Sequence, residues 1–277
     1  MRTLIISAVR SPVFTACLLV LFFAVLITAF GALLAPQDPM YQDIGLGVSG
    51  PSVAHWLGTD ELGRDVFARL IAGARTGILG AVVTATGATL IGTTIGLASG
   101  YTNRRLDTFL MRAADIVWAF PALLTILVVV GVFGGGYWLA VAMLILFAWP
   151  MEARLVRGAT MVRKSLPYVE AAHTLDLSHS RIVVRHILPN LWPLVLTNFL
   201  LGFVSSIAVL SGLSFLGLGV APGTPDWGLM INENRQVLDS NVWGVLAPAL
   251  CLIAVSLAAT IAADRLYTTI SIKSGAR

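Results

Sequence analysis

The residues that could do chemistry are few and stand apart from one another. All four histidines lie outside the long apolar runs, and His173 and His179 are six positions apart with no cysteine nearby. That spacing does not match the common zinc sites. We find no set of nucleophile, base and metal ligand, so the sequence does not predict an enzyme. The histidines are His55, His173, His179 and His186.

Nucleotide binding through a P-loop is also excluded. That motif needs a lysine directly after glycine, whereas Lys164 follows Arg163 and Lys273 follows Ile272. We therefore expect no cofactor in this chain, and any ATP and Mg²⁺ would be bound by a partner subunit.

The composition indicates the environment of these residues. Apolar types make up 57% of the 277 residues and charged types 12%, compared with about 25% charged in soluble domains. A soluble fold would expose large apolar patches, so we predict a membrane protein. The formal net charge of +4 does not indicate nucleic-acid binding, because the basic residues are spread between apolar runs.

Charge-free stretches predict an all-α, polytopic membrane protein with about six transmembrane helices, since about 20 apolar residues cross a bilayer. Two stretches are too long for one helix and are divided at glycine-rich breaks, 131–136 and 217–225. Pro121 and Pro248 predict bends in the third and sixth helices. The stretches are 11–37, 76–103, 116–151, 187–225 and 240–263.

The first span has two interpretations. Arg2 and Arg10 before it fit a cleaved signal peptide, but the apolar run is too long and no clear cleavage site follows. We therefore predict a retained anchor. The predicted divisions are a cytoplasmic N-terminus 1–10, first helix 11–35, extracytoplasmic segment 36–75, core 76–268 with five helices, and cytoplasmic tail 269–277.

Lysine and arginine positions predict the orientation. All but four of the 18 basic residues fall on the face that carries both termini, so the positive-inside rule makes both termini cytoplasmic. The predicted localisation is the bacterial cytoplasmic, or inner, membrane. The four exceptions are Arg64, Arg69, Arg75 and Arg235.

Two features of the spans bear on mechanism. The charge-free stretches leave no ionisable residue inside a span, which argues against a proton-coupled pump. The second helix carries small residues at every fourth position, a ridge that allows close approach of another helix. These residues are Gly80, Thr84, Ala88, Gly92, Gly96 and Gly100.

The stretch 163–189, between the fourth and fifth spans, is the most informative segment. We predict a short helix over 167–175 with Tyr168, Ala171, Ala172 and Leu175 on its apolar side, followed by a basic part. An amphipathic helix resting on the lipid surface is the alternative.

This stretch resembles the EAA loop of ABC-importer permeases. Glu170-Ala171-Ala172 opens the pattern, Asp176 stands where the family has glycine, and 186–189 (His-Ile-Leu-Pro) closes it at the matching spacing. Aspartate tolerates the left-handed conformation that glycine would supply, so we expect the turn to persist. The effect of Asp176 on coupling is open.

Three further stretches resemble the second, "C"-type permease of dipeptide, oligopeptide and nickel importers. They are 55–65 (HWLGTDELGRD), 214–219 (SFLGLG) and 225–230 (PDWGLM). The resemblance implies a type I ABC-importer permease fold. It also implies half of a translocation path for dipeptides or oligopeptides, with nickel or metal chelates and glutathione-like solutes as alternatives.

The resemblance implies partners and sites as well. The partners would be a homologous second permease, two cytoplasmic ABC ATPases and an extracytoplasmic solute-binding protein. The implied ATPase-coupling residues are Glu170, Ala171, Ala172, Asp176, Leu177, Arg181 and Arg185.

The segments 36–75 and 213–239 are long enough to receive the binding protein. In the alternative interpretation, Asp60, Arg64 and Asp65 only cap and tether an interfacial helix that enters the second span. A self-contained secondary transporter or channel is the competing function. The candidate docking residues are Asp60, Arg64, Asp65, Asp226 and Trp227.

Overall fold

The computed structural model describes residues 12–134 and 136–274, which fold into α-helices and their connections. The predicted N-terminus 1–10 and the last three residues of the predicted tail lie outside this range. The helices are α1 (Pro12–Leu34), α2 (Val66–Tyr101), α3 (Arg104–Trp118), α4 (Ala122–Phe133), α5 (Gly136–Lys164), α6 (Pro167–Thr174), α7 (His179–Ile182), α8 (Leu188–Phe215), α9 (Trp227–Asn234) and α10 (Trp243–Ser274); a π-helical turn spans Val183–Ile187 and a 3₁₀ turn Arg235–Val237.

Within the described ranges, five helices are long and apolar enough to cross a membrane, and a sixth span results if α3 and α4 are counted together. Those two helices meet at a 67° bend, next to Pro121, which occupies the N-cap of α4. At about 1.5 Å per residue, the 12 residues of α4 are too short to cross a bilayer alone. The prediction of an all-α protein with about six spans is confirmed.

The outer faces of the bundle are apolar. Phe22, Phe23 and Val25 on α1 are 57–60% exposed, and Val128 on α4 and Ile253 on α10 are similarly open. In water this surface would be a large unfavourable patch. In a bilayer it contacts lipid, which accounts for the high apolar content of the chain.

The glycine ridge of α2 lies against α5. A Cβ added at Gly92 would lie 2.5 Å from Glu152 Cβ, and one at Gly96 2.7 Å from the Ala153 carbonyl oxygen. One at Gly100 would lie 2.7 Å from the Arg157 carbonyl oxygen. Gly80 faces Tyr137 at the other end, and Thr84 and Ala88 between them are buried. The two backbones therefore approach as closely as glycine permits.

Several helices extend beyond the charge-free stretches, and the extensions of α2 and α5 bury charged side chains. α2 begins at Val66, before the predicted start at 76, and α5 continues past Met151 to Lys164. Each extension contains a charged side chain that is buried within the protein, Arg69 and Glu152. The expectation that no ionisable residue lies inside a span is wrong, because Glu152 packs against Gly92 in the interior of α2.

The last two spans follow their predicted order. α8 ends at Phe215, just before Gly217 with its φ of +77°, and the loop 213–239 contains the short helix α9. α10 continues as a helix through Pro248 and on to Ser274. The first part of the predicted tail 269–277 is therefore helical.

Candidate functional site

Residues 163–189 form a helix–turn–helix, and we call them the coupling segment after the role that the family resemblance implies. α6 ends at Thr174, and Asp176 has a φ of +52°. The Asp176 N–H donates to the His173 carbonyl at 3.0 Å and the Leu177 N–H to the Ala172 carbonyl at 3.2 Å. The left-handed turn expected at Asp176 is present, in a conformation that aspartate tolerates better than most residues.

The coupling segment has an apolar seat on the membrane helices. Val169, Ala172, Ile182 and Ile187 are buried, and they contact the ends of three spans. Burial of this kind fixes the position of the segment relative to the bundle. The residues of the spans in this cluster are Leu97 and Tyr101 of α2, Val156 of α5, and Leu191 and Val195 of α8.

The predicted apolar side of α6 needs correction. Val169 and Ala172 face inward, whereas Ala171 is exposed and Leu175 is 74% exposed. Residues three apart lie on one face of a helix, so the inward pair shares a face that Ala171 does not. Ala172 thus seats the segment on its own bundle, and Ala171 faces away from it.

A polar contact also ties the coupling segment to α2. The Tyr101 hydroxyl lies 3.1 Å from His179 Nδ1 and 3.4 Å from His173 Nε2, so it contacts both halves of the segment. Lys164 Nζ donates to the Tyr101 carbonyl at 2.6 Å. Sequence reasoning missed this cluster, because residues so far apart along the chain leave no spacing pattern.

The outward face of the coupling segment carries charge that the chain does not pair internally. Glu170, Arg181 and Arg185 are exposed. They form no ion pair within the described part of the chain. Asp176 is exposed and Leu177 is partly buried beside them. An apolar patch at Ala171 and Leu175 flanked by free charges is a surface suited to a protein partner.

On the opposite side of the bundle, a network of ion pairs forms what we call the extracytoplasmic cap, residues 55–69 with 223–241, after the side of the membrane predicted for these segments. Arg64 Nε donates to Asp60 at 2.7 Å, and Arg64 Nη2 to Glu233 at 2.8 Å. Arg69 Nη2 donates to the same Glu233 oxygen at 2.7 Å, and Arg69 Nη1 to the Gly223 carbonyl at 3.1 Å. Glu233, in residues 223–241, therefore pairs with two guanidinium groups from residues 55–69.

Two aspartates of the cap begin helices. Asp65 accepts from the Ala68 N–H at 2.6 Å and lies 2.8 Å from His55 Nδ1. Asp226 accepts from the Leu229 N–H at 3.1 Å, and burial raises the pKa of this carboxyl.

Trp227, beside Asp226, joins the cap to α2. Its Nε1–H donates to the Leu70 carbonyl at 2.9 Å. The cap residues thus hold the starts of α2 and α9 against each other.

The five candidate docking residues are all in the cap and are only 1–4% exposed. Arg64 and Trp227 join segment 36–75 to loop 213–239 directly. Asp60 and Asp65 bond within segment 36–75, and Asp226 caps α9 within its own loop. Arg69 and Glu233, which complete the network, were missed, because one acid shared between two arginines is not visible in a linear sequence. Contact of this side with a binding protein stays a prediction.

Comparison with known proteins decides the family. Residues 92–271 match the family described as binding-protein-dependent transport system inner membrane component. The chain belongs to this family. It is a permease subunit of an ABC importer and a multi-pass protein of the inner membrane.

Two relatives are similar over nearly the whole permease. The glutathione transport system permease protein GsiD of Pectobacterium atrosepticum is 36% identical over 258 residues, covering 93% of this chain and 86% of the relative. The dipeptide transport system permease protein DppC of Alkalihalophilus pseudofirmus is 33% identical over 249 residues, with 90% and 82% covered.

A solved structure is similar in fold. A chain from the inward-facing MetNI methionine ABC transporter superposes with a TM-score of 0.60 at 18% identity, covering 74% of this permease and 97% of that chain. At this identity the likeness concerns the fold alone. It confirms the expected type I importer permease fold.

Proposed function

We propose that this permease forms half of a translocation path for short peptides, paired with a homologous permease and driven by two cytoplasmic ATPases that bind ATP and Mg²⁺. The similarity to a dipeptide and a glutathione permease supports the solute class. Both named solutes carry a free amino group, a carboxylate and at least one amide bond. Nickel or metal chelates are the alternative solute.

The observation that carries the proposed mechanism is the two-sided coupling segment. Its inner side is seated on α2, α5 and α8, and its outer side presents Glu170, Ala171, Leu175, Arg181 and Arg185. An ATPase that binds the outer side would displace the whole segment, and with it the ends of α2, α5 and α8. Closure of the ATPase pair would then rock the bundles between inward- and outward-open states.

A solute-binding protein would dock on the exposed residues around the extracytoplasmic cap. Tyr41, Ile44 and Trp56 are exposed apolar residues on that side, and aromatic residues are favoured at protein interfaces. The buried ion pairs of the cap would stabilise the conformation of this surface and would not contact the binding protein themselves.

The function is tested on the complete transporter, purified with its partner permease and ATPases. We expect a dipeptide or glutathione, together with its binding protein, to stimulate ATP hydrolysis. Stimulation only by a nickel chelate would overturn the peptide assignment. Solute transport that persists without the ATPases would favour a self-contained transporter. The sequence argued against that alternative because no ionisable residue was expected inside a span, and the buried Glu152 removes this argument.

Glu170→Lys tests the coupling surface. Because Glu170 is exposed, reversal of its charge leaves folding intact, and we expect wild-type thermal unfolding but loss of the ATPases on co-purification. Asp264→Lys, an exposed acid on the same face of the membrane outside the coupling segment, is the matched control. ATPase retention and transport at wild-type levels in Glu170→Lys would contradict the coupling assignment.

A further inference from the structure

A half-open cavity lies among the membrane helices, away from both the coupling segment and the cap. It has a volume of about 360 Å³ and is bordered by the middle parts of α2, α5 and α8, with a mostly apolar lining that includes the exposed Met151, Leu155 and Leu201. This volume is at the lower end of the range for small-molecule sites. The polar side chains that line it are Thr84, Thr89, Glu152, Asn198, Ser205 and Ser206.

Glu152 is the charged group of this cavity. It is 8% exposed, and within residues 12–134 and 136–274 its Oε1 has no hydrogen-bond partner and its carboxylate no ion pair. The close contact of its Cβ with Gly92 fixes the base of the side chain. A buried acid without a partner is costly, and ionisable residues inside membrane spans generally serve function.

Two more polar groups in the same cavity lack partners. The Asn198 amide lies beside the Glu152 carboxyl, but over the described residues neither Asn198 Nδ2 nor Thr84 Oγ1 makes a well-formed hydrogen bond. Native proteins satisfy the great majority of buried polar atoms. Three helices therefore each contribute one unsatisfied group to a single space, and these groups comprise a carboxylate acceptor, an amide donor and a hydroxyl.

This combination is complementary to one end of a peptide. An ammonium group donates to a carboxylate, and an amide N–H₂ donates to a carbonyl or carboxylate oxygen. The remaining lining is apolar, with Leu144, Ala148, Met151, Leu155 and Leu201, and accepts small side chains.

We propose that the cavity is a transient subsite for the free amino end of the transported solute, with Glu152 as acceptor for the ammonium group and Asn198 as donor to the neighbouring carbonyl. The inference rests on the proposed function, because it assumes that a peptide passes through this bundle. One carboxylate with few supporting groups binds weakly enough for release. The subsite therefore favours passage of amines over solutes with a blocked amino group.

The first test measures binding without transport. The complete transporter is treated with dicyclohexylcarbodiimide, which modifies buried carboxyl groups, and labelling of Glu152 is followed by mass spectrometry, with Glu152→Gln as the site control. We expect millimolar Ala-Ala to slow the labelling and N-acetyl-Ala-Ala to leave its rate unchanged. Equal protection by both peptides, protection by neither, or absence of labelling would each overturn the subsite.

The second test measures uptake of the dipeptide by the reconstituted transporter with its binding protein. We expect Glu152→Gln to reduce uptake about tenfold, the factor for loss of one charge-assisted hydrogen bond. Glu152→Asp should recover part of it. The matched control is Asp264→Asn, the same change at an exposed acid of α10, which should transport as the wild type does.

Failure of the subsite and failure of the proposed function give different results. If wild type and Asp264→Asn transport the dipeptide and Glu152→Gln transports it equally well, the subsite is wrong and the permease function stands. If none of the three transports any peptide, the proposed solute class is wrong. Co-purification of the ATPases with each variant shows that assembly is intact.

Discussion

The extracytoplasmic cap and the coupling segment use charged residues in opposite ways. In the cap, Asp60, Arg64, Arg69 and Glu233 face one another and form ion pairs. In the coupling segment the interior is apolar, and its charges face outward without internal ion pairs in the described chain. Charge in the first region holds the protein together, and charge in the second is available to another protein.

The difference separates residues that resemble each other in a linear sequence. Both regions contain family-like motifs rich in acids and arginines, and both were candidate contact sites. Removing one member of a buried ion pair leaves an uncompensated charge, which is strongly destabilising, whereas an exposed charge contributes little to stability. Mutations in the two regions should therefore fail at different steps, assembly in the cap and coupling in the segment.

The largest effect is expected in the cap. Glu233→Gln leaves Arg64 and Arg69 without their shared acid, so we expect a loss of about 3 kcal/mol in the free energy of unfolding. Thermal unfolding in detergent, followed by size-exclusion chromatography, measures it. Asp239→Asn, an exposed acid in the same loop, should unfold as the wild type does. Equal stability of the two variants would show that the ion pairs do not hold the cap.

Neighbouring alanines in α6 sharpen the distinction within the coupling segment. Ala172→Leu overfills a packed site and should lower the free energy of unfolding by about 1–3 kcal/mol, as well as weakening ATPase co-purification. Ala171→Leu, on the exposed side, should alter ATPase co-purification at unchanged thermal stability. If both variants lost stability, the two-sided description of the segment would be wrong.

A smaller effect is expected at Asp176. Its φ of +52° is costly for a residue with an ordinary side chain, so Asp176→Ala should destabilise the segment by about 1 kcal/mol. Asp176→Gly should be at least as stable as the wild type. Limited proteolysis of the segment compares the three proteins. Faster cleavage of the glycine variant than of the alanine variant would contradict a left-handed turn.

The smallest effect concerns Asp226 and pH. Because burial raises its pKa above 3.8, the ionised form is disfavoured in the folded state, and stability rises as pH falls through the raised pKa toward 3.8. Asp226→Asn keeps the N-cap without the charge, so at pH 7 we expect it to melt about 2 °C above the wild type. The difference in melting temperature between the variant and the wild type should become smaller as the pH is lowered. A difference that does not depend on pH would show that the charge of Asp226 does not cause it.

Local patterns were sufficient for much of the fold. The first span, the break after Phe215 and the turn at Asp176 each follow from a few adjacent residues, because apolar runs and left-handed positions are local properties. The spacing of the small residues on α2 likewise predicted a close helix contact. Resemblance to a family then supplied the fold type, that of a type I ABC-importer permease.

Nonlocal contacts set the limit of prediction. Glu152 was placed outside a span because the charge-free run stops before it, yet α5 continues and buries it. Arg69 was placed outside a span for the same reason, although Glu233, distant along the chain, neutralises it. The inward side of α6 was misassigned because a helix of eight residues gives too short a periodic signal. Each error arose where tertiary pairing overrides a local rule.

The 36-residue helix α2 also has a mechanical consequence. At about 1.5 Å per residue it is a rod of roughly 54 Å, anchored by Asp65 in the cap and by Tyr101 at the coupling segment. Its glycines pack closely against α5, so a displacement of α2 at one membrane surface should be transmitted to the other surface. Docking of the binding protein on one side of the membrane and nucleotide binding by the ATPases on the other would therefore act on opposite ends of α2.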